Sequence, residues 1–249
     1  MPYFNIVAET SENPVVTEYE PVKKRSDSYQ SEAALEQEFI CMLCEQGYEY
    51  LPIHTESDLV SNLRRQLEEL NHYTFSDTEW EDFFHNAIAN PNEHIVEKTR
   101  KIQEDHIQNL CRDDGSTKNI TLIDKKNIHN NRLQVINQYV VSTKDGAKHD
   151  NRYDVTVLVN GFPLVHIELK RRGMAIREAF NQIERYQRES FWSGSGLYEY
   201  IQIFVISNGA NTKYYSNSTR WNAEREHKKK GASKTKSSNS FEFTCFWAD

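Results

Sequence analysis

From Ser31 onward apolar side chains recur at helical spacing, and Leu35, Phe39, Met42 and Leu43 define a predicted helix that Gly47 ends. Residues 57–70 repeat the pattern with Leu59, Leu63, Leu67 and Leu70. Ser76-Asp77-Thr78-Glu79 then reads as a capping box opening a helix that carries Trp80, Phe83, Phe84 and Ala87, and a further helix is predicted over 93–105, after Pro91. After Gly115 the period shortens. TLID at 121–124 and RLQVINQY at 132–139 are β-prone, followed by YDVTVLV, LVHIEL, a helix from about 175 to 190, YIQIFVISNG and a last strand at TKYYS. Helices followed by strand, hairpin, helix and strand describe an α/β (α+β) core behind a helical N-terminal part. Residues 1–27 hold no period and read as an extended arm. The domain is expected over 28–249, with a helical part at about 28–110 and a sheet-containing core at about 111–220. Residues 222–240 have almost nothing to bury, so a mobile basic loop is expected, with Lys228-Lys229-Lys230 solvated in it.

Composition narrows the class. With 249 residues, 37% hydrophobic and 12% aromatic, the chain can bury a substantial core. No run of 18 apolar residues occurs, the first residues lack a signal-peptide pattern, and four cysteines make no disulfide framework, so a cytoplasmic protein is expected. Cys41 and Cys44 have a metal-like spacing but sit inside a helix without a second pair of ligands, which points to core packing. The net charge of −7 hides an asymmetry: residues 1–110 carry −14 and residues 111–249 carry +7. Any nucleic-acid surface is expected in the second half.

The chemistry gathers around the hairpin signal Asn160-Gly161 in RYDVTVLVNGFPLVHIELKRRG. A two-residue loop sets Asp154 against Ile167, whereas a three-residue loop ending in a bulge pairs Val155 with Ile167 and Val157 with Val165 on one face. Asp154 and Glu168, and Thr156 and His166, then share the other face. The second register makes one face core and the other a site, with Lys170 on the side of both carboxylates. Two carboxylates this close repel unless a cation joins them, and oxygen ligands suit Mg2+ or Mn2+. An Asp/Glu/Lys ion-pair cluster on an exposed sheet face explains the same spacing equally well.

Asp154, the hairpin and Glu168-Leu169-Lys170 together resemble the PD-(D/E)xK nuclease motif, with Tyr153 where the motif has proline. Gln182 and Tyr186 in NQIERY are similar to its QxxxY extension. The run from about residue 28 to the end resembles the N-terminal nuclease domain of the restriction (R) subunit of type I restriction-modification enzymes. The resemblance implies a restriction-endonuclease-like core with a mixed central sheet flanked by helices, and a Mg2+-dependent cut in double-stranded DNA. It also implies partners: the methylation (M) and specificity (S) subunits, and the subunit's own C-terminal helicase-like motor domains, absent from this chain. ATP chemistry would belong to those domains, since no GxxxxGK[ST] loop occurs here.

On this reading Asp154, Glu168 and Lys170 are catalytic, with the carboxylates on the metal and Lys170 orienting or helping to deprotonate the water. Gln182 and Tyr186 position Lys170 or a phosphate, or else serve as packing groups. Glu36 either reaches the metal from the side or is a solvated helical residue. Arg171, Arg172 and Arg177 either contact DNA phosphates or form a solvated basic turn. His166 shares the site face as a neighbour. The competing functions are a catalytically silent docking or DNA-clamping module and a structure-specific nuclease that works alone.

Overall fold

The computed structural model describes residues 31–142, 149–217, 241 and 244–246, and the backbone of residues 3–8 and 16–20. Strands β1 (Tyr3–Ala8) and β2 (Val16–Glu20) pair antiparallel within the stretch read as an arm. Helix α1 (Glu32–Glu45) starts on the Ser31 side chain, which accepts from the Ala34 N–H. Strand β3 (Glu49–Tyr50) leads to α2 (Glu56–Asn71), α3 (Asp77–Phe83) and α4 (Ile95–Gln103). The capping box at α3 is complete, Ser76 and Glu79 each accepting from the other's backbone N–H.

A small hairpin, β4 (Ile107–Cys111) and β5 (Thr117–Thr121), stands apart from the main sheet. It displaces the strand expected at 121–124. Gly115, at φ +79°, lets the chain turn back early, and Leu122 then packs into the core from a bend. The central elements are β6 (Leu133–Val141), β7 (Asn151–Val159), β8 (Phe162–Leu169), α5 (Ile176–Glu189), β9 (Ile203–Ser207), β10 (Thr212–Ser216) and β11 (Cys245–Phe246). They form a mixed sheet in the order β11-β10-β9-β8-β7-β6-β3, parallel at β3/β6 and β8/β9 and antiparallel elsewhere. The loop expected at 222–240 lies outside the described residues. Among the described residues no helix is long and apolar enough to cross a membrane.

The sheet is covered on both faces. On one, Ile40 of α1 packs with Val135, Val155, Val157, Ile167 and Leu169. On the other, Leu59, Leu63 and Leu67 of α2 and Ala179, Phe180 and Ile183 of α5 pack over Ile136, Leu158, Phe162, Phe204 and Ile206. The expectation of one core face and one open site face therefore gives way. Thr156 and His166 are buried, because the parallel step from β8 to β9 needs a crossover and α5 returns across that face. Cys41 and Cys44, expected in the core, are exposed: α1 fully buries only Glu36 and Ile40, and both thiols lie outside that contact.

Two irregularities place the catalytic candidates. Asn160 and Gly161, at φ +50° and +83°, make a two-residue turn of the kind that requires both central residues in the left-handed region. The extra residue expected in the loop is instead a bulge at Leu164, between the pairs Leu158/Pro163 and Val157/Val165, and it yields the Val155/Ile167 register. Gly161 is also pressed against α2, where an added Cβ would lie 2.6 Å from Leu63 Cα. Gly161→Ala is expected to cost about 3 kcal/mol and lower Tm by roughly 6–12 °C in thermal denaturation. An unchanged Tm would mean that α2 can retreat without loss.

The second irregularity is a break in strand alternation. Gln138 has φ +52°, and the pairing of β6 with β7 skips from Asn137/Val155 to Tyr139/Tyr153. Strict alternation would put Tyr139 and Tyr153 with Val135 and Val155. Both tyrosines pack instead with Ile136 and Leu158 on the opposite face. Asp154 sits at the break.

Candidate active site

Asp154 near the start of β7 and Glu168 near the end of β8 come together because antiparallel strands bring those ends side by side. The Asp154 Oδ2 accepts from the Leu169 N–H at 2.9 Å, which ties its side chain to the neighbouring strand. Lys170, two residues past Glu168, donates its ammonium to Glu168 Oε1 at 3.0 Å and to the Leu169 carbonyl at 3.1 Å. Glu168 is fully buried, while Asp154 and Lys170 keep partial exposure. The site therefore opens only at this end of the strand pair.

Both carboxyls are pushed up to about 7, and in both the main cause is burial. For Asp154 the charge of Glu168 adds to the rise, against the Leu169 N–H and the Lys170 ammonium. For Glu168 the Lys170 ammonium resists. Repulsion, the cause evident from spacing, is thus second to desolvation for Asp154, while for Glu168 a hydrogen bond with Asp154 opposes the rise. Burial works against the charge of Lys170 as well, yet Glu168 and Asp154 outweigh it and raise its pKa. It stands beside the pair as an ammonium. The two carboxylates offer oxygen donors, and Glu168 Oε2 is buried with no hydrogen-bond partner among the described residues, so the pair suits a hard divalent cation. No group of three His, Cys, Asp or Glu side chains converges as a cation site among the described residues.

Glu36, considered as a lateral ligand, lies near Asp154 with both oxygens engaged by amides. Its Oε1 accepts from the Asn137 amide at 2.5 Å and its Oε2 from the Gln138 amide. Burial raises its pKa, the two amides oppose the rise, and Asp154 is close enough to add to it. Glu36 thereby fastens α1 to the left-handed turn of β6 opposite Asp154. The Tyr50 hydroxyl, donating to Asn137 Oδ1 at 2.9 Å, secures the same segment.

Gln182 and Tyr186 lie one turn apart on α5, the Gln182 amide donating to the Tyr186 hydroxyl, which in turn donates to the Arg152 carbonyl at 2.9 Å. Burial raises the Tyr186 pKa and Glu168 adds to the rise, so the phenol is neutral beside the site. Among the described residues neither is hydrogen-bonded to Lys170; together they lock α5 onto β7. Arg171, Arg172 and Arg177 are exposed just past β8. The Arg171 N–H donates to Glu32 Oε1 at 3.2 Å, Arg172 reaches the Gly209 carbonyl at 3.4 Å, and the Arg177 guanidinium lies 5.1 Å from the Phe241 ring centre. Sequence reasoning missed Arg152 and the Asn137-Gln138 turn. No residue type marks that turn in advance, since glutamine seldom adopts φ above zero.

Comparison with known proteins places these features in context. Residues 29–223 match the family described as the type I restriction enzyme R protein N terminus. The type I restriction enzyme EcoprrI endonuclease subunit of Escherichia coli is 45% identical over 243 residues, 97% of this chain and 72% of that one. The SsaAORF53P endonuclease subunit of Staphylococcus saprophyticus is 41% identical over 194 residues, and the SauMSSORF170P endonuclease subunit of Staphylococcus aureus 40% over 195. Each of these alignments covers 76% of this chain but 20% of the relative, so the chain spans about a fifth of the staphylococcal proteins.

Proposed function

This chain belongs to the family of the type I restriction enzyme R protein N terminus, and from that premise we propose that it is the Mg2+-dependent endonuclease domain of such an R subunit. It hydrolyses double-stranded DNA phosphodiesters when a longer chain couples it to an ATP-driven translocase, in a complex with methylation and specificity subunits. The observation that carries the reading is the Asp154/Glu168 pair, Glu168 fully buried and Asp154 partly exposed, both pushed up to about 7 mainly by burial, with an ammonium 3.0 Å from a Glu168 oxygen. An exposed ion-pair cluster would show neither the burial nor the shift.

Asp154 and Glu168 would hold the cation, with Mn2+ as a substitute for Mg2+ and DNA phosphate oxygens and waters completing the shell. When bound, the ion would neutralise charge developing on the phosphate and lower the pKa of a coordinated water. Lys170, kept charged by its two neighbours, orients the attacking water and stabilises the phosphate oxygens rather than taking a proton. The Gln182–Tyr186–Arg152 chain holds α5 against the strand that presents Asp154. Arg171, Arg172 and Arg177, exposed past the end of β8, would supply phosphate contacts. In the +7 half of the chain they offset the acidic helical half.

The test is nicking and linearisation of supercoiled plasmid by the 249-residue chain and by a full-length subunit with its partners and ATP, with Mg2+ or with EDTA. Cleavage that requires the cation is expected. DNA binding without cleavage in any cation, in both forms, would favour the silent clamping module instead.

A further inference from the structure

Beside the carboxylate pair, two fully buried polar groups face each other without engaging. His166 and Glu168 are both 0% exposed, and His166 Nε2 lies 3.5 Å from Glu168 Oε2. Neither nitrogen of His166 and not Oε2 of Glu168 has a hydrogen-bond partner among the described residues. A buried donor or acceptor without a partner is costly, so a fold that keeps two in contact needs a reason.

The surroundings of the imidazole are mostly aromatic. The rings of Tyr153, Phe191 and Tyr186 stand edge-on to it at 5.6, 5.8 and 6.0 Å, with interplanar angles of 68°, 79° and 70°. Thr156, its partner across the strands, has its hydroxyl 3.3 Å from that of Tyr198. The β8 alternation puts His166 and Glu168 on one side of the strand, two residues apart. Among the described residues the ring's polar neighbours are the Val155 backbone, the Asp154 carboxyl and, at 3.5 Å, the Glu168 oxygen that Lys170 does not use.

We propose that His166 is a positioning residue of the metal site, donating its Nε2–H to Glu168 Oε2 so that the carboxylate is held between the imidazole on one oxygen and Lys170 on the other. An ionised carboxylate only accepts, so this contact selects the Nε2–H tautomer. A closure of about half an ångström from 3.5 Å gives an ordinary hydrogen bond and satisfies two orphans at once. Catalytic-site hydrogen bonds are often slack before ligands bind. The inference rests on the nuclease reading for its purpose, though the hydrogen bond itself can be observed without metal or DNA.

Three variants and one spectrum test it. In metal-free protein, above the pH range in which Glu168 titrates, 15N spectra of the histidine rings should show His166 as the Nε2–H tautomer, its resonance identified by loss in His166→Phe and displaced in Glu168→Ala. A Mn2+ titration should find His166→Phe folded but weakened about 10–100-fold, as for other outer partners of metal ligands. His166→Gln, whose amide can donate to Glu168, should recover most of the affinity. An Nδ1–H tautomer, wild-type Mn2+ affinity in His166→Phe, or a folded His166→Gln as impaired as the phenylalanine variant would each overturn the proposal. If the wild-type chain neither binds Mn2+ nor cuts, the nuclease reading falls and the tautomer still decides the histidine's contact. If it binds and cuts while the tautomer is Nδ1–H, the histidine inference falls alone.

Discussion

Asp154→Asn and Glu168→Gln should each reduce DNA cleavage by roughly 10³-fold, about 4 kcal/mol of barrier, while making the metal-free protein more heat-stable above neutral pH. Loss of activity follows from losing a ligand. The gain in stability follows from linkage. A carboxyl with a folded pKa of about 7 and an unfolded value near ~4 binds its proton more tightly in the native state. Its contribution is fully present below the unfolded value and is lost as pH rises through about 7. In EDTA the Tm of the parent should therefore carry a falling component between roughly pH 5 and 8. Each amide variant removes one of the ionising groups, and Glu168→Gln also relieves Asp154 of its charged neighbour, so that component shrinks. Above pH 7, Mg2+ should raise the Tm of the parent by binding the native state alone, and should leave the variants unmoved. Melting curves with and without Mg2+ supply the numbers. A parent and variants with the same pH slope and no response to Mg2+, together with variants that cut at the parental rate, would sink the assignment.

The burial behind that prediction was the part of the site least legible in the sequence. Alternation along YDVTVLV and LVHIEL carries the pairing of Val155 with Ile167, and so the proximity of Asp154 and Glu168, because a one-residue slip would turn the apolar set outward. Spacing does not say what covers a strand. Glu168, read as facing an open site, is fully buried because α5 returns over it and because Tyr153 crosses to that face at the Gln138 turn. Local signals served best where they were self-contained. Ser76 and Glu79 form the expected capping box and Gly47 takes its positive φ, whereas the bulge at Leu164 and the turn at Gln138 arise from tertiary fit and leave no trace in residue type. The same limit applied to α1: helical spacing was evident, but the contact of Glu36 with Asn137 and Gln138 depends on which strand the helix meets.

Lys170 separates the roles that spacing alone leaves open. Lys170→Met should lower cleavage by ~10²-fold or more, since it removes a charge aimed at the reacting phosphate, yet leave Mn2+ binding measurable because the carboxylates remain. Without the ammonium, burial acts on Glu168 unopposed by its main counter-charge, so the variant's Mn2+ affinity should shift toward higher pH. Lys170→Arg discriminates further. A guanidinium stays charged and cannot take a proton from water at any accessible pH. If Lys170 works as a charge, as its raised pKa argues, the arginine variant should keep more activity than the methionine variant and show the parental dependence on pH. If Lys170 works as a base, both variants should be equally dead and the parental rate should climb on a limb that neither shows. A methionine variant cutting at the parental rate would remove Lys170 from the mechanism, and the 3.0 Å contact with Glu168 would then be no more than an ion pair that steadies a buried carboxylate.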